Sequence, residues 1–113
     1  MKKQNKNEQL IQAAKDGDYI GCIDLIIDQG ADLNYREGLA FRYAAKHGHE
    51  FIVSYFLDIV PNLARYCPQA TLLASNAEHK GVVEVLQKSF DKYTRFNRLY
   101  HDRARIKNQS KNR

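Results

Sequence analysis

Ala44 to Leu57 reads AAKHGHEFIVSYFL, and this stretch decides the fold. Ala44 and Ala45 are small enough to let two helices approach closely. Gly48 stands where the first helix must end and the chain reverse, because glycine takes the left-handed conformation at little steric cost. Ile52, Val53, Phe56 and Leu57 then fall at i, i+1, i+4 and i+5, the apolar stripe of a second helix. Two helices this short cannot bury their faces alone. The unit therefore requires neighbours.

Neighbours are legible on both sides. Upstream, AAKDGDYIGCIDLII (13–27) repeats the alanine pair, the lysine, the glycine and the apolar run; downstream, ASNAEHKGVVEVL (74–86) repeats them more loosely, with Glu78 in the glycine position. Gly17 and Gly48 lie 31 residues apart, and Ile52 and Val82 lie 30 apart. A fixed period of this size predicts stacked repeats.

The pattern resembles the ankyrin repeat, a unit of about 33 residues built from a turn and two helices. The residues that carry the resemblance are Ala44-Ala45-x-x-Gly48-His49-x-x-Ile52-Val53-x-x-Phe56-Leu57, with Ala13-Ala14-x-x-Gly17 and Gly30-Ala31-Asp32-Leu33-Asn34 in the first unit. It covers about residues 8 to 88. The chain departs from the family at Leu39-Ala40-Phe41-Arg42, where Thr-Pro-Leu-His would open the unit, and at Pro61, which replaces a glycine. The resemblance implies an all-α fold: a short ankyrin-like solenoid of stacked helix-turn-helix repeats (8–37, 38–67 and 68–88), closed by a C-terminal capping helix. It further implies that His49 and His79, after the turn, hydrogen-bond between adjacent units.

Taken in order, residues 1–7 are a polar lead expected to be disordered. Asn7 is the expected N-cap of the first helix, whose inward residues are Leu10, Ala13 and Ala14. The next helix, started by Asp18, is expected to bury Ile20, Ile23, Ile26 and Ile27 and to end at Gly30. Two connecting fingers follow, one over 31–38 and one over 62–69, with a helix beginning near Gln69. At Glu78 the turn lacks a residue free to adopt positive φ, and Gly81 is the candidate substitute. Beyond Leu86, Phe90, Tyr93, Phe96 and Tyr100 recur three to four apart and predict one apolar helical face. A fresh helix capped by Ser89 and a continuous helix from Val82 both fit. That segment, 89–107, is read as a basic amphipathic terminal helix, and 108–113 as a disordered tail.

Charge divides the chain. Residues 1–87 hold nine Lys/Arg against eleven Asp/Glu, whereas 88–113 hold nine against two, so the net charge of +5 belongs to the tail. No apolar run reaches the 18 or so residues of a membrane span, and the first residues lack an apolar signal core, which predicts a soluble, cytoplasmic protein without membrane contact. Cys22 and Cys67 read as reduced, buried thiols. His47, Gly48 and His49 have no cysteine or carboxylate at ligand spacing, so no metal is expected. Glu50 beside His49 is no dyad, because adjacent helical residues point apart. With no phosphate-binding glycine loop or nucleophile elbow, no enzyme and no cofactor are expected.

Binding remains. By its resemblance, the chain would line a concave face with its first helices and project the tips of its connections from the edge. The candidate partner-binding residues are Tyr35, Arg36 and Glu37 at the first tip, Arg42, Tyr43, Lys46 and His47 on the middle helix, Arg65 and Tyr66 at the second tip, and Asn76. Tyrosine and arginine are enriched where interfaces concentrate their energy. The leading expectation is a non-catalytic protein-interaction module, whose small size suits an inhibitor or effector of the kind a virus or bacterium encodes. The alternative is nucleic-acid or acidic-surface binding by Lys92, Arg95, Arg98, Arg103, Arg105 and Lys107. A monomer is expected, or weak self-association through the terminal helix.

Overall fold

The computed structural model describes residues 5–111, with side chains through Leu99. Six helices and one 3-10 segment make up the fold, and no strand occurs among the described residues: α1 (Lys6–Asp16), α2 (Tyr19–Ile27), α3 (Tyr35–Lys46), α4 (Glu50–Ile59), the 3-10 helix Pro61–Tyr66, α5 (Cys67–Asn76) and α6 (Lys80–Lys111). α1 packs on α2, α3 on α4 and α5 on α6, so the helices form three pairs. Each first helix also packs on the next, α1 on α3 and α3 on α5. The second helices follow, α2 on α4 and α4 on α6.

One turn is built three times. Gly17 (φ 78°), Gly48 (φ 79°) and Glu78 (φ 64°) all adopt the left-handed conformation after the first helix of their pair. The N–H of Asp18, His49 and His79 reaches back five residues to the carbonyl of Ala13, Ala44 and Ala74, at 2.9 Å in each case. The N–H of the left-handed residue donates to the carbonyl three residues earlier. Helix-terminal carbonyls that would otherwise be unpaired are thereby satisfied by the reversal itself.

The core lies between the two rows of helices. Ala14, Ala44, Ala45, Ala70 and Ala74 are buried where first helices meet. Their methyl groups permit close approach and cost no side-chain entropy. The larger volume comes from Leu10, Phe41, Phe56, Leu63 and Leu86, all fully enclosed. Cys22 and Leu25 in α2 occupy the places that Val53 and Phe56 hold in α4, 31 residues on.

Several expectations change. The cap of α1 is Asn5, whose side chain accepts the Glu8 N–H at 2.8 Å, so the helix begins inside the lead read as disordered; residues 1–4 lie outside the described residues. Asn7 instead accepts the N–H of Asp32 at 2.7 Å and ties α1 to the loop after α2. In α2 the buried residues are Cys22 and Leu25, Ile23 and Ile26 are half-buried, and Ile20 and Ile27 are exposed. A helix of nine residues shows the core only one narrow stripe, and four isoleucines cannot all share it.

The two fingers also differ from expectation. Arg36, Glu37 and Gly38 form a left-handed turn (φ 51°, 57° and 70°) that leads directly into the right-handed part of α3. The second finger is absent: Pro61 ends α4 and opens the 3-10 helix, which buries Leu63 and Ala64 and runs into α5 at Cys67, ahead of Gln69. Glu78 takes positive φ itself, and Gly81 lies within α6. α6 passes Ser89 without a break and continues to Lys111, so the terminal helix is the outer part of one 32-residue helix and includes most of the expected tail. Residues 112 and 113 lie outside the described residues.

Candidate protein-interaction surface

The side of the first helices turned away from the core carries three rows in register. Gln12, Tyr43 and Leu73 form one row, Lys15, Lys46 and Asn76 a second, and Asp16, His47 and Ala77 a third, each stepping by 31 and then 30 residues. Tyr43 and Leu73 are half-buried and the other seven residues are exposed. Their alignment follows from the alanine packing, because equal helices in contact at equal positions present equal faces.

The middle of this surface is aromatic and basic. The Tyr43 ring meets the His47 ring edge-on, with centroids 6.4 Å apart, and Lys46 Nζ lies 6.0 Å from the Tyr43 centroid. The His47 and His49 rings lie nearly parallel, at 6.3 Å. Desolvation in the packed turn and the nearby charges of Lys15 and Lys46 hold His47 below the usual histidine range. It therefore offers a neutral ring with hydrogen-bonding nitrogens at neutral pH. Beside it, His49 Nε2 is 2.9 Å from the carbonyl oxygen of Lys15 in the preceding pair, and the tautomer protonated there donates to it.

Histidine rings also lock the turns together. A Cβ at Gly17 would come within 2.7 Å of the His49 ring, and one at Gly48 within 2.6 Å of the His79 ring. Glycine at both positions thus permits the close approach and lowers the cost of the positive φ that Glu78 adopts in the third turn. These contacts join successive pairs and leave His49 and His79 only half-exposed.

The residues expected at finger tips bind their own chain. Tyr35 is half-buried and its Oη donates to Glu8 at 2.8 Å, while Arg36 forms an ion pair with the same carboxylate at 3.5 Å. Arg42 donates to the carbonyls of Arg36 (3.0 Å) and Glu37 (3.1 Å), bracing the left-handed turn. Arg65 donates to Asn34 Oδ1 at 3.0 Å and holds its guanidinium 4.8 Å from the Tyr66 centroid. The Tyr66 ring closes on Gly38, where a Cβ would approach it to 2.7 Å. Tyr35, Arg36, Arg65 and Tyr66 therefore tie one helix pair to the next, Arg42 braces the turn within its own helix, and Glu37 stands exposed beside them. Glu8 and Asn34, which are not among the candidate site residues read from the sequence, are their partners. The spacing of 31 between Tyr35 and Tyr66 was the available signal.

On α6, Phe90 and Tyr93 are half-buried against the core, whereas Phe96 and Leu99 are 66% and 59% exposed. Lys92, Arg95 and Arg98 are exposed. The backbone of α6 includes Arg103, Arg105 and Lys107, whose side chains lie outside the described residues. A groove of about 460 Å³ runs between α6 and the end of α4, with Leu57, Pro61, Tyr93 and Phe96 on its walls.

Among the described residues no group of three or more His, Cys, Asp or Glu side chains is arranged to hold a metal ion. Both cysteines are buried and free, and burial pushes their thiols up to about 12, with the Asp18 charge adding to the effect at Cys22. Neither is an activated nucleophile at neutral pH. No helix among the described residues is long and apolar enough to cross a membrane. No protein-family model, curated protein or solved structure matches this chain.

Proposed function

We propose that the chain is an ankyrin-like stack that binds a partner protein, without catalysis, through the outward rows of its first helices. The observation that carries this reading is the register of those rows. Nine equivalent positions on the three first helices and their caps, seven of them exposed and two half-buried, recur at one spacing, and the aromatic and basic group of Tyr43, Lys46 and His47 belongs to the middle helix. Tyr43 is half-buried against the core, and the amphipathic area that it leaves at the surface suits an interface anchor. The recurring turn and the histidine contacts between pairs support the ankyrin-like description.

Tyr43→Ala combined with Lys46→Ala tests the reading. The double variant is expected to lose capture of the partner from a cell extract while keeping its helical circular dichroism. Undiminished capture by a folded variant would overturn the assignment of this face.

A second reading rests on the exposed Lys92, Arg95 and Arg98 of α6. On that reading α6 binds nucleic acid or another acidic surface, and its affinity falls steeply with salt as counterions are released. A duplex titration at low and moderate salt, on the full chain and on the Arg95→Gln/Arg98→Gln variant, decides it. No binding at low salt ends this alternative.

A further inference from the structure

The outer side of the second helices is apolar where a surface of this size would ordinarily be polar. Ile20 and Phe51 hold equivalent positions in α2 and α4, and they are 78% and 84% exposed; Ile27 is 64% exposed. The rings of Tyr19 and Tyr55 meet edge-on at 5.5 Å and join the two helices into one face. A single exposed isoleucine needs no explanation, but several large apolar side chains exposed on two adjacent helices point to a contact surface.

The charge around that face has one sign. No lysine or arginine occurs between Lys15 and Arg36 or between Lys46 and Arg65, the two stretches that contain α2 and α4. Asp18, Asp24, Asp28, Glu50 and Asp58 are all exposed there. A hydrogen bond with Asp24, reinforced by its charge, raises the Asp28 carboxyl above the usual carboxylate range. An incoming cation would relieve this crowding.

The complementary surface is on the same chain. Beyond Tyr93, α6 exposes Phe96 and Leu99 one turn apart, with Lys92, Arg95 and Arg98 beside them. It cannot reach α2 within one molecule. α6 packs against α5, α4 and the 3-10 helix, at the end of the stack away from α2, and it continues unbroken to Lys111 with no glycine after Gly81 and no proline to fold it back.

We propose that the apolar, acidic face of α2 and α4 receives the apolar, basic outer part of α6 from a second copy of this chain. Phe51 and Ile20 supply the area to be buried against Phe96 and Leu99, and the carboxylates and guanidinium groups at the rim set the orientation. Opposite charges at the rim attract the second copy and fix its register, and like charges placed there by reversal oppose association. Every copy carries both halves, so reciprocal docking of two copies satisfies both faces in each.

Sedimentation and light scattering of the full chain over a concentration series test the proposal. At low salt the mass is expected to rise above that of a monomer with concentration, and at high salt to return toward it. Phe51→Glu is expected to weaken association at least ~10-fold, as is the pair Arg95→Glu/Arg98→Glu, with helical circular dichroism unchanged. The decisive arm is charge exchange. Asp24→Lys/Asp28→Lys alone is expected to be monomeric, and a mixture of that variant with Arg95→Glu/Arg98→Glu is expected to associate again, since the reversed face then meets a reversed helix. All five positions are exposed, and if Phe51→Glu fails to fold, Phe51→Ser replaces it. A chain that stays monomeric at every concentration and salt overturns the proposal, including one that binds duplex as a monomer. So does association that neither charge reversal disturbs.

Discussion

The chain crosses from one helix pair to the next in two ways. Between α2 and the right-handed part of α3 it passes through Ala31, Leu33 and a left-handed turn at Arg36, Glu37 and Gly38, in which Arg42 holds the carbonyls of Arg36 and Glu37. Between α4 and α5 it passes through a 3-10 helix that packs Leu63 and Ala64 into the core and merges with α5 at Cys67. Buried leucines, Leu33 and Leu63, sit 30 residues apart in the two crossings, so the core makes the same demand of both. The backbone meets it differently. In the first crossing, polar bonds brace an unfavourable conformation, whereas in the second a favourable conformation rests on burial. The crossings also meet each other, because Tyr66 closes on Gly38 and Arg65 bonds Asn34.

The largest expected effect tests the burial claim. Leu63 is fully enclosed, and Leu63→Ala is expected to cost ~2–5 kcal/mol through lost transfer energy and a residual cavity. Chemical denaturation monitored by circular dichroism measures it. A loss comparable to that of a surface substitution would break the comparison, because the second crossing would then not depend on its leucine.

Next comes the contact between the crossings. Gly38 is buried with φ 70°, and an added Cβ would stand 2.7 Å from Tyr66 Cδ2. Gly38→Ala is expected to cost ~2–3 kcal/mol from the left-handed conformation and the overlap together. With Tyr66→Ala already present, the same methyl is expected to cost only the conformational part, ~1–2 kcal/mol. Equal costs in both backgrounds would show that the tyrosine ring does not set the requirement for glycine.

Arg42 is expected to matter less. Arg42→Ala removes two hydrogen bonds from a charged donor to the carbonyls of the left-handed turn, for an expected loss of ~1–2 kcal/mol. Arg42→Lys keeps the charge without the planar fork and is expected to fall between Ala and the parent chain. If Arg42→Lys matched the parent, charge alone would brace the turn, and the geometric account of the first crossing would fail.

How far the residues announce this arrangement depends on the signal each carries. The alanine pairs, Gly17 and Gly48 mark helices and reversals directly, because small side chains and positive φ are requirements a sequence can display. The rows through Tyr43, Lys46 and His47 follow from that period. Glu78, Arg36 and Glu37 carry no such mark. They adopt positive φ because hydrogen bonds elsewhere fix the chain on both sides of them, and a residue type does not record that. In α2 the isoleucines outweighed Cys22 by hydropathy, although the period places Cys22 and Leu25 where Val53 and Phe56 are buried. The second crossing reads as a finger over 62–69 for a related reason: Pro61 marks the end of a helix, but it suits equally the first turn of the 3-10 helix that follows.

The smallest effects are expected to have opposite signs in the two crossings. Glu37 is exposed with φ 57°, and its carbonyl, which Arg42 holds, survives any side-chain change. Glu37→Gly therefore removes the steric penalty of the left-handed conformation, a gain that exceeds glycine's greater freedom in the unfolded chain, and is expected to stabilise by ~0.5–1 kcal/mol. Asn62 is also exposed but lies in the 3-10 helix, where φ is negative and glycine brings only its entropy cost. Asn62→Gly is expected to destabilise by ~0.5–1 kcal/mol. Paired thermal melts read both signs under one set of conditions. Loss of stability in both variants would mean that the turn at Arg36 and Glu37 is not strained, and the two crossings would then differ in shape alone.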